Sequence, residues 1–333
     1  METTTPVKIR ILNAEPENFS QEARQILQSL GELVEEPVSQ ESLAARVHGF
    51  DALLVRLGLR VTREILESSV RLKVVVSAAT GLDHIDLEAA REKNIAILSL
   101  QGEQEFLRTV PATAEHAWAL LLALTRRIAW AFDDVRQGGW DRDRFRGHDL
   151  NGKRLGILGM GRIGEQVARY GIAFGMKVGA YDPYRKEWMN DIRRFETVEE
   201  MLRWSEILSV HLPLNAKTRG FLHEKRLRLL SRGAWILNTS RGAIVDEIAL
   251  INLLEQGHLA GAAVDVLAVE QPAKGRQRSP LLQYAREHDN LLITPHLGGA
   301  TVEATLRTEV FMAEKLRRFL ADHCVGADSH GKY

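Results

Sequence analysis

The stretch "RLGILGMGRIGEQVARYGIAFGMKVGAYDP", residues 154–183, constrains the fold more than any other part of the chain. An apolar run leads into Gly159, Gly161 and Gly164, an amphipathic segment follows, and a second apolar run ends on Asp182, 18 residues after Gly164. A dinucleotide needs each of these features. The first glycine permits a tight turn, the second lets backbone approach the pyrophosphate, and the third lets helix pack on strand. The helix N-terminus then supplies N–H groups and the positive end of a dipole. A carboxylate at 182 accepts hydrogen bonds from the ribose hydroxyls and repels a 2′-phosphate, so NAD is expected rather than NADP. Arg185 is the nearby cation that keeps NADP open.

Short apolar runs alternate with amphipathic stretches on both sides of this motif. Before it come "VKIRIL", "DALLVR", "KVVVSA" and "IAILSL", with "SQEARQILQSL", "REILESS" and "LEAAREKN" among them. From the motif onward come "RLGILG", "KVGAYD", "ILSVHL", "AWILNTS", "GAAVDV" and "LLITPH", six strands of a dinucleotide-binding sheet. Between the two series one long helix is expected over 111–137, apolar nearly all round in its first half and ended by Gly138 and Gly139. A last amphipathic helix, about 301–321, runs past the second series and is expected to return to the first domain. The fold class is α/β, with doubly wound parallel sheets in two domains.

Charge excludes some partners. The 44 basic and 44 acidic residues cancel, so no global field attracts nucleic acid or an anionic membrane. Small molecules are the expected partners. A single cysteine, Cys324, makes neither an internal disulfide nor a thiolate cage, and the opening "METTTPVKIR" has no apolar core of a secretory signal, so a cytoplasmic location is expected. The apolar run "AWALLLAL" is too short to cross a bilayer, which takes about 20 residues.

Ligands of open α/β sheets bind beyond the carboxyl ends of the strands, and Asp182, His211, Arg241, Asp265 and His296 stand at or just past such ends. Arg241 suits bidentate binding of a carboxylate, or an ordinary salt bridge. Glu270, five residues after Asp265, is either a solvated loop acid or the partner of a histidine. His296, in "ITPHLGG", is read against three roles: packing residue, metal ligand or proton donor. The histidines show no H-x-x-H, H-E-x-x-H or His/Cys cluster, so no metal is expected. Ser240 has no G-x-S-x-G elbow, which leaves proton transfer as the role that uses the neighbours.

The segments "LGILGMGRIG", "ILSVHLPLNAKTRGFL", "AWILNTSRGAIVDEIALINLLEQGHLAGAAVDVLAVEQP" and "LLITPHLGGAT", with "ATGLDHIDLEAA" and "TAEHAWALLLALTRRI", resemble the successive signatures of the NAD-dependent D-2-hydroxyacid dehydrogenases. Within that family the likeness is to D-3-phosphoglycerate dehydrogenases and to glyoxylate and hydroxypyruvate reductases. The resemblance implies a catalytic set of Arg241, Glu270 and His296, and a contact of Asp265 with the nicotinamide carboxamide. It also implies backbone N–H groups at Thr80 and Gly81 that bind the substrate carboxylate. The cofactor-binding set expected is Gly159, Gly161, Arg162, Ile163, Gly164, Asp182, His211, Pro213, Thr218, Thr239, Asp265 and Gly298. Two Rossmann-like domains with an active-site cleft between them are implied: an NAD-binding domain over 107–299 and a discontinuous substrate domain from 1–106 and 300–333. A homodimer through the nucleotide domain is implied as well.

The chain departs from the family pattern where Gln271 separates Glu270 from Pro272, and a longer segment, "AKGRQRSPLLQYAREHD", precedes the last strand. Arg56, after "DALLV", is the candidate for meeting a phosphate or second acid on the substrate. Members resembling this family also act as NAD-sensing corepressors without catalysis, which is the alternative function. The complete Arg241, Glu270 and His296 set favours chemistry, and glutamate at 270 argues against formate oxidation.

Overall fold

The computed structural model describes residues 9–271 and 273–325. Residues 1–8 and Pro272 lie outside the described residues, as does the side chain of Cys324. Backbone proximity divides the chain into two units. One holds the residues up to Leu107 and those from Val302 onward, and the other is Arg108–Thr301.

The first unit carries strands β1 (Ile9–Asn13), β2 (Gly31–Glu35), β3 (Ala52–Val55), β4 (Val74–Ser77) and β5 (Ala96–Ser99). They form a parallel sheet in the order β2-β1-β3-β4-β5. The central β3 and β4 are buried along their whole length, which is why they read as continuous apolar runs and not as alternating ones. One face packs on Leu43, Val47, Ile65, Leu66 and Ala89. The other is covered by the helices Gln21–Leu30 and Val302–Val325, through Leu27, Met312 and Leu316. Polar ties hold the second helix there. Ser20 N–H donates to Glu309 Oε2 at 2.7 Å, and Lys315 Nζ donates to the Ser99 carbonyl at 2.8 Å. Strand β2 was not anticipated from sequence. It is an edge strand whose residues after Gly31 are half-buried or exposed, so "GELVE" carries little apolar signal.

The second unit carries β6 (Arg154–Leu158), β7 (Lys177–Tyr181), β8 (Ile192–Arg194), β9 (Ile207–Val210), β10 (Ala234–Asn238), β11 (Leu259–Val264) and β12 (Leu291–Ile293). The sheet is parallel, in the order β12-β11-β10-β9-β6-β7-β8. The six expected strands are joined by β8, a three-residue edge strand with two exposed arginines and therefore no apolar run to announce it. Strand order reverses between β6 and β9, the crevice where nucleotides bind in such sheets.

The single helix expected over 111–137 is two helices, Ala112–Thr125 and Ile128–Arg136. The hydrogen-bond ladder stops because the Thr125 carbonyl accepts His148 N–H at 2.9 Å, and Arg127 turns into the left-handed region at φ 54°. The first helix is buried on most sides, whereas the second has no buried residue. Among the described residues no helix is long and apolar enough to cross a membrane.

Candidate active site and nucleotide cradle

The glycine loop follows β6 directly and opens the helix Arg162–Ala173. Gly159 has φ +96°, and a Cβ there would stand 2.6 Å from the His211 carbonyl oxygen, so the turn and its approach to the β9 end both require glycine. A Cβ on Gly164 would lie 2.1 Å from the Gly159 oxygen. Gly161 differs. A Cβ on it would meet no protein atom within 4 Å, so what needs its smallness is not the protein. This is the space a pyrophosphate would take, in front of the N–H groups of a helix start. Asp182 is already aimed, with Oδ2 accepting Met160 N–H and Oδ1 accepting Tyr184 N–H, each at 2.9 Å.

The other expected cofactor residues are distributed unevenly around this cradle. Arg162 turns its guanidinium to the Val110 carbonyl at 2.8 Å, leaving its backbone as the part placed at the loop. Ile163, the next residue of that helix, is half-buried. Thr218 Oγ1 donates to the Pro213 carbonyl at 2.6 Å and closes the loop after β9. Thr239, just past β10, has a buried hydroxyl with no hydrogen-bond partner among the described residues, an orphaned polar atom that a bound group would satisfy. Together with the open face of Gly161, it fits a dinucleotide.

His211 Nε2 lies 2.8 Å from Ser209 Oγ, and burial pushes its pKa down from 6.5 to about 3. The folded protein therefore keeps this ring neutral, while the unfolded chain binds a proton below about pH 6.5. Stability from this residue is complete above that value and is lost as pH falls toward 3. Melting temperatures of wild type and His211→Asn between neutral and mildly acidic pH test this. The wild type declines on acidification more steeply than the variant, and parallel declines would remove His211 as a cause.

The loops after β10, β11 and β12 bring the second set of residues together. His296 Nδ1 is 2.7 Å from Glu270 Oε2, and Glu270 Oε1 accepts Leu267 N–H at 3.1 Å. The carboxylate is thus anchored to its own loop while it holds the ring, and Nε2 is the nitrogen left to pass a proton. His296 itself is left-handed, with φ 57°, a conformation that histidine tolerates better than most residues. Arg241 is placed by Asn238 Nδ2, which donates to its carbonyl at 3.0 Å, and its Nη1 donates to the Ser240 carbonyl at 2.8 Å. A Cβ on Gly242 would fall 2.0 Å from the Leu267 carbonyl carbon, so the Arg241 loop is pressed against the loop that carries Glu270.

Asp265 is the hub of this edge. Its Oδ1 accepts from Thr294 Oγ1 at 2.6 Å and Leu297 N–H at 2.7 Å, with His116 Nε2 at 3.1 Å. Its Oδ2 accepts Gly298 N–H at 2.8 Å, and its own carbonyl accepts His296 N–H at 2.9 Å. Burial raises the pKa of this carboxyl, but the bonds from His116, Thr294, Leu297 and Gly298 outweigh it and hold the group below the usual range. His116 and Thr294 were not anticipated. The trace of His116 in the sequence is a polar ring at the start of a helix that is apolar from Ala117 to Leu124.

In the first unit, Thr80 and Gly81 lie in the irregular loop after β4, whose base is tied by Ser77 Oγ and His84 Nε2 at 3.1 Å. Arg56 is folded back, with Nη1 donating to the Glu17 carbonyl at 2.9 Å.

Residues 118–298 match the model of the D-isomer specific 2-hydroxyacid dehydrogenase NAD-binding domain, which is more than half of the chain. The chain belongs to the D-2-hydroxyacid dehydrogenase family. The chain is 35% identical to a hydroxypyruvate reductase of Thermotoga maritima over 300 residues, covering 90% of this chain and 94% of the relative. It is 35% identical to a D-3-phosphoglycerate dehydrogenase of Methanocaldococcus jannaschii over 94% of its own length, but spans 57% of that longer protein. It is similar in fold to D-lactate dehydrogenase of Aquifex aeolicus complexed with NAD and lactic acid, with TM-score 0.82, 27% identity and coverage of 94% and 96%.

Proposed function

We propose that the chain transfers a hydride between NAD(H) and C2 of a D-2-hydroxy acid or its 2-oxo counterpart. The observation that carries this reading is the 2.7 Å bond between His296 Nδ1 and Glu270 Oε2, at the carboxyl edge of the sheet that bears the glycine loop. When bound, the cofactor supplies or accepts the hydride at nicotinamide C4. His296 gives a proton from Nε2 to the carbonyl oxygen during reduction and takes it back during oxidation. Glu270 fixes the ring and offsets the charge of the imidazolium. Arg241 offers its guanidinium to the substrate carboxylate and to the oxygen on which charge develops. Asp265 keeps accepting capacity on Oδ2, which has one donor where Oδ1 has three, and this is the oxygen proposed to meet the nicotinamide carboxamide.

Thr80 and Gly81 are proposed to hold the substrate carboxylate by backbone N–H groups. Arg56 is proposed to meet a phosphate or second acid with the N–H groups not given to Glu17. Asp182 favours NAD because a 2′-phosphate would be set against a carboxylate. A panel of glyoxylate, hydroxypyruvate, phosphohydroxypyruvate and pyruvate, followed by NADH absorbance, tests the function. Oxidation of NADH by at least one of them is expected, and none by any would reject it.

A homodimer is proposed through the helix Ile128–Arg136. Ile128, Phe132 and Val135 are 52%, 62% and 50% exposed at helical spacing, an apolar stripe suited to a second copy. In sedimentation, Phe132→Asp is expected to convert a dimer to a monomer, and a dimer that persists would place the interface elsewhere.

A further inference from the structure

Two side chains grip the backbone of one residue in the glycine loop. Met160 stands between Gly159 and Gly161, its N–H donates to Asp182 Oδ2 at 2.9 Å, and its carbonyl accepts Arg185 Nη1 at 2.8 Å. The N–H belongs to the peptide plane shared with Gly159 and the carbonyl to the plane shared with Gly161. Both planes are therefore pinned from the segment that follows β7.

Arg185 has other partners. Its Nη2 pairs with Glu165 Oε2 at 3.1 Å, in the first turn of the glycine-loop helix, and its Nε donates to the Glu187 carbonyl. Trp188 Nε1 donates to the Arg185 carbonyl at 3.1 Å and fastens the loop from below. Hydrogen bonds, from Arg169 above all and then from Arg185 itself, overcome burial and hold the Glu165 carboxyl below its usual range, so it is ionised opposite the guanidinium. An arginine just after the ribose-binding acid would ordinarily be read as a receptor for a 2′-phosphate. Here its charge is already balanced, and swinging it toward a phosphate would strand the Met160 carbonyl and leave the Glu165 carboxylate with Arg169 as its one remaining arginine partner among the described residues.

We propose that Arg185 is a positioning residue that pre-sets the pyrophosphate loop and contributes equally to NADH and NADPH, while Asp182 alone discriminates between them. This rests on the dinucleotide reading above. The physical basis is pre-organisation: a loop held in its binding geometry loses less freedom when the ligand arrives.

Calorimetric titration with NADH, and with NADPH by competition, on wild type, Arg185→Ala and Arg185→Lys separates the two roles. Amide hydrogen exchange at Gly161–Ile163 in the cofactor-free protein supplies a readout local to the loop. Arg185→Ala is expected to raise the dissociation constants of both dinucleotides by a common factor of about ten and to speed exchange at those amides. Arg185→Lys, which can keep one bond to the Met160 carbonyl but not the fork, is expected to fall between. Weakening of NADPH alone would overturn the proposal in favour of a phosphate receptor. Unchanged affinities and unchanged exchange in Arg185→Ala would overturn it outright. Wild type that binds neither dinucleotide would instead reject the cofactor reading, and the clamp with it.

Discussion

Replacing His296 with alanine lowers kcat/KM for reduction of the best 2-oxo acid by ~10²-fold or more and leaves the dissociation constant of NADH near its wild-type value. The effect is confined to chemistry because the turn that carries the ring is built by Asp265, whose bonds to Leu297 and Gly298 do not involve the imidazole. Alanine is less at ease than histidine at φ 57°, so some local relaxation accompanies the loss of the acid. His296→Asn separates the two effects, since asparagine tolerates the left-handed region but donates no proton of comparable acidity. Both variants are expected to be equally slow. An asparagine variant near wild-type rate would mean that the turn, not proton transfer, is what His296 supplies.

The second large effect is expected from a methyl group at either of two glycines, by two different routes. In Gly164→Ala the new carbon would sit 2.1 Å from the Gly159 oxygen, a backbone atom with nowhere to retreat, so the turn must open. Strain of this kind typically costs about 1–3 kcal/mol, and the cofactor-free protein should melt several degrees lower while NADH affinity falls by roughly 10- to 100-fold. In Gly161→Ala the carbon meets only open space, at a φ of −74° that alanine accepts. Its melting temperature should be unchanged, with the loss appearing in NADH titration alone. A Gly161→Ala protein that binds NADH normally would show that the space before the helix is not where the pyrophosphate lies.

What could be read from the residues was whatever leaves a local signature. Buried strands such as "VVVS" and "AWILN" are apolar up to their last residue because both faces of their sheets are covered. The glycine motif is legible because its three glycines stand at fixed short spacing between an apolar run and an amphipathic segment. Edge strands β2 and β8 escaped notice because half-exposed residues need not be apolar. The break at Arg127 was hidden for another reason: the Thr125 carbonyl is claimed by His148, 23 residues away, which no helix propensity records. His116 was missed on the same grounds, since its partners Asp265 and Thr294 are 149 and 178 residues distant. Contacts of that range exist only once the chain has folded.

The helix Val302–Val325 lends Met312, Leu316 and Leu320 to a core whose other members, Ile11, Leu27, Val74 and Val76 among them, come from the opening third of the chain. During synthesis those early strands leave the ribosome with one flank covered by the helix Gln21–Leu30 alone, and its completion waits for the whole intervening unit to be made. The middle of the polypeptide is then the first part able to close on itself, and its two ends mature together, last.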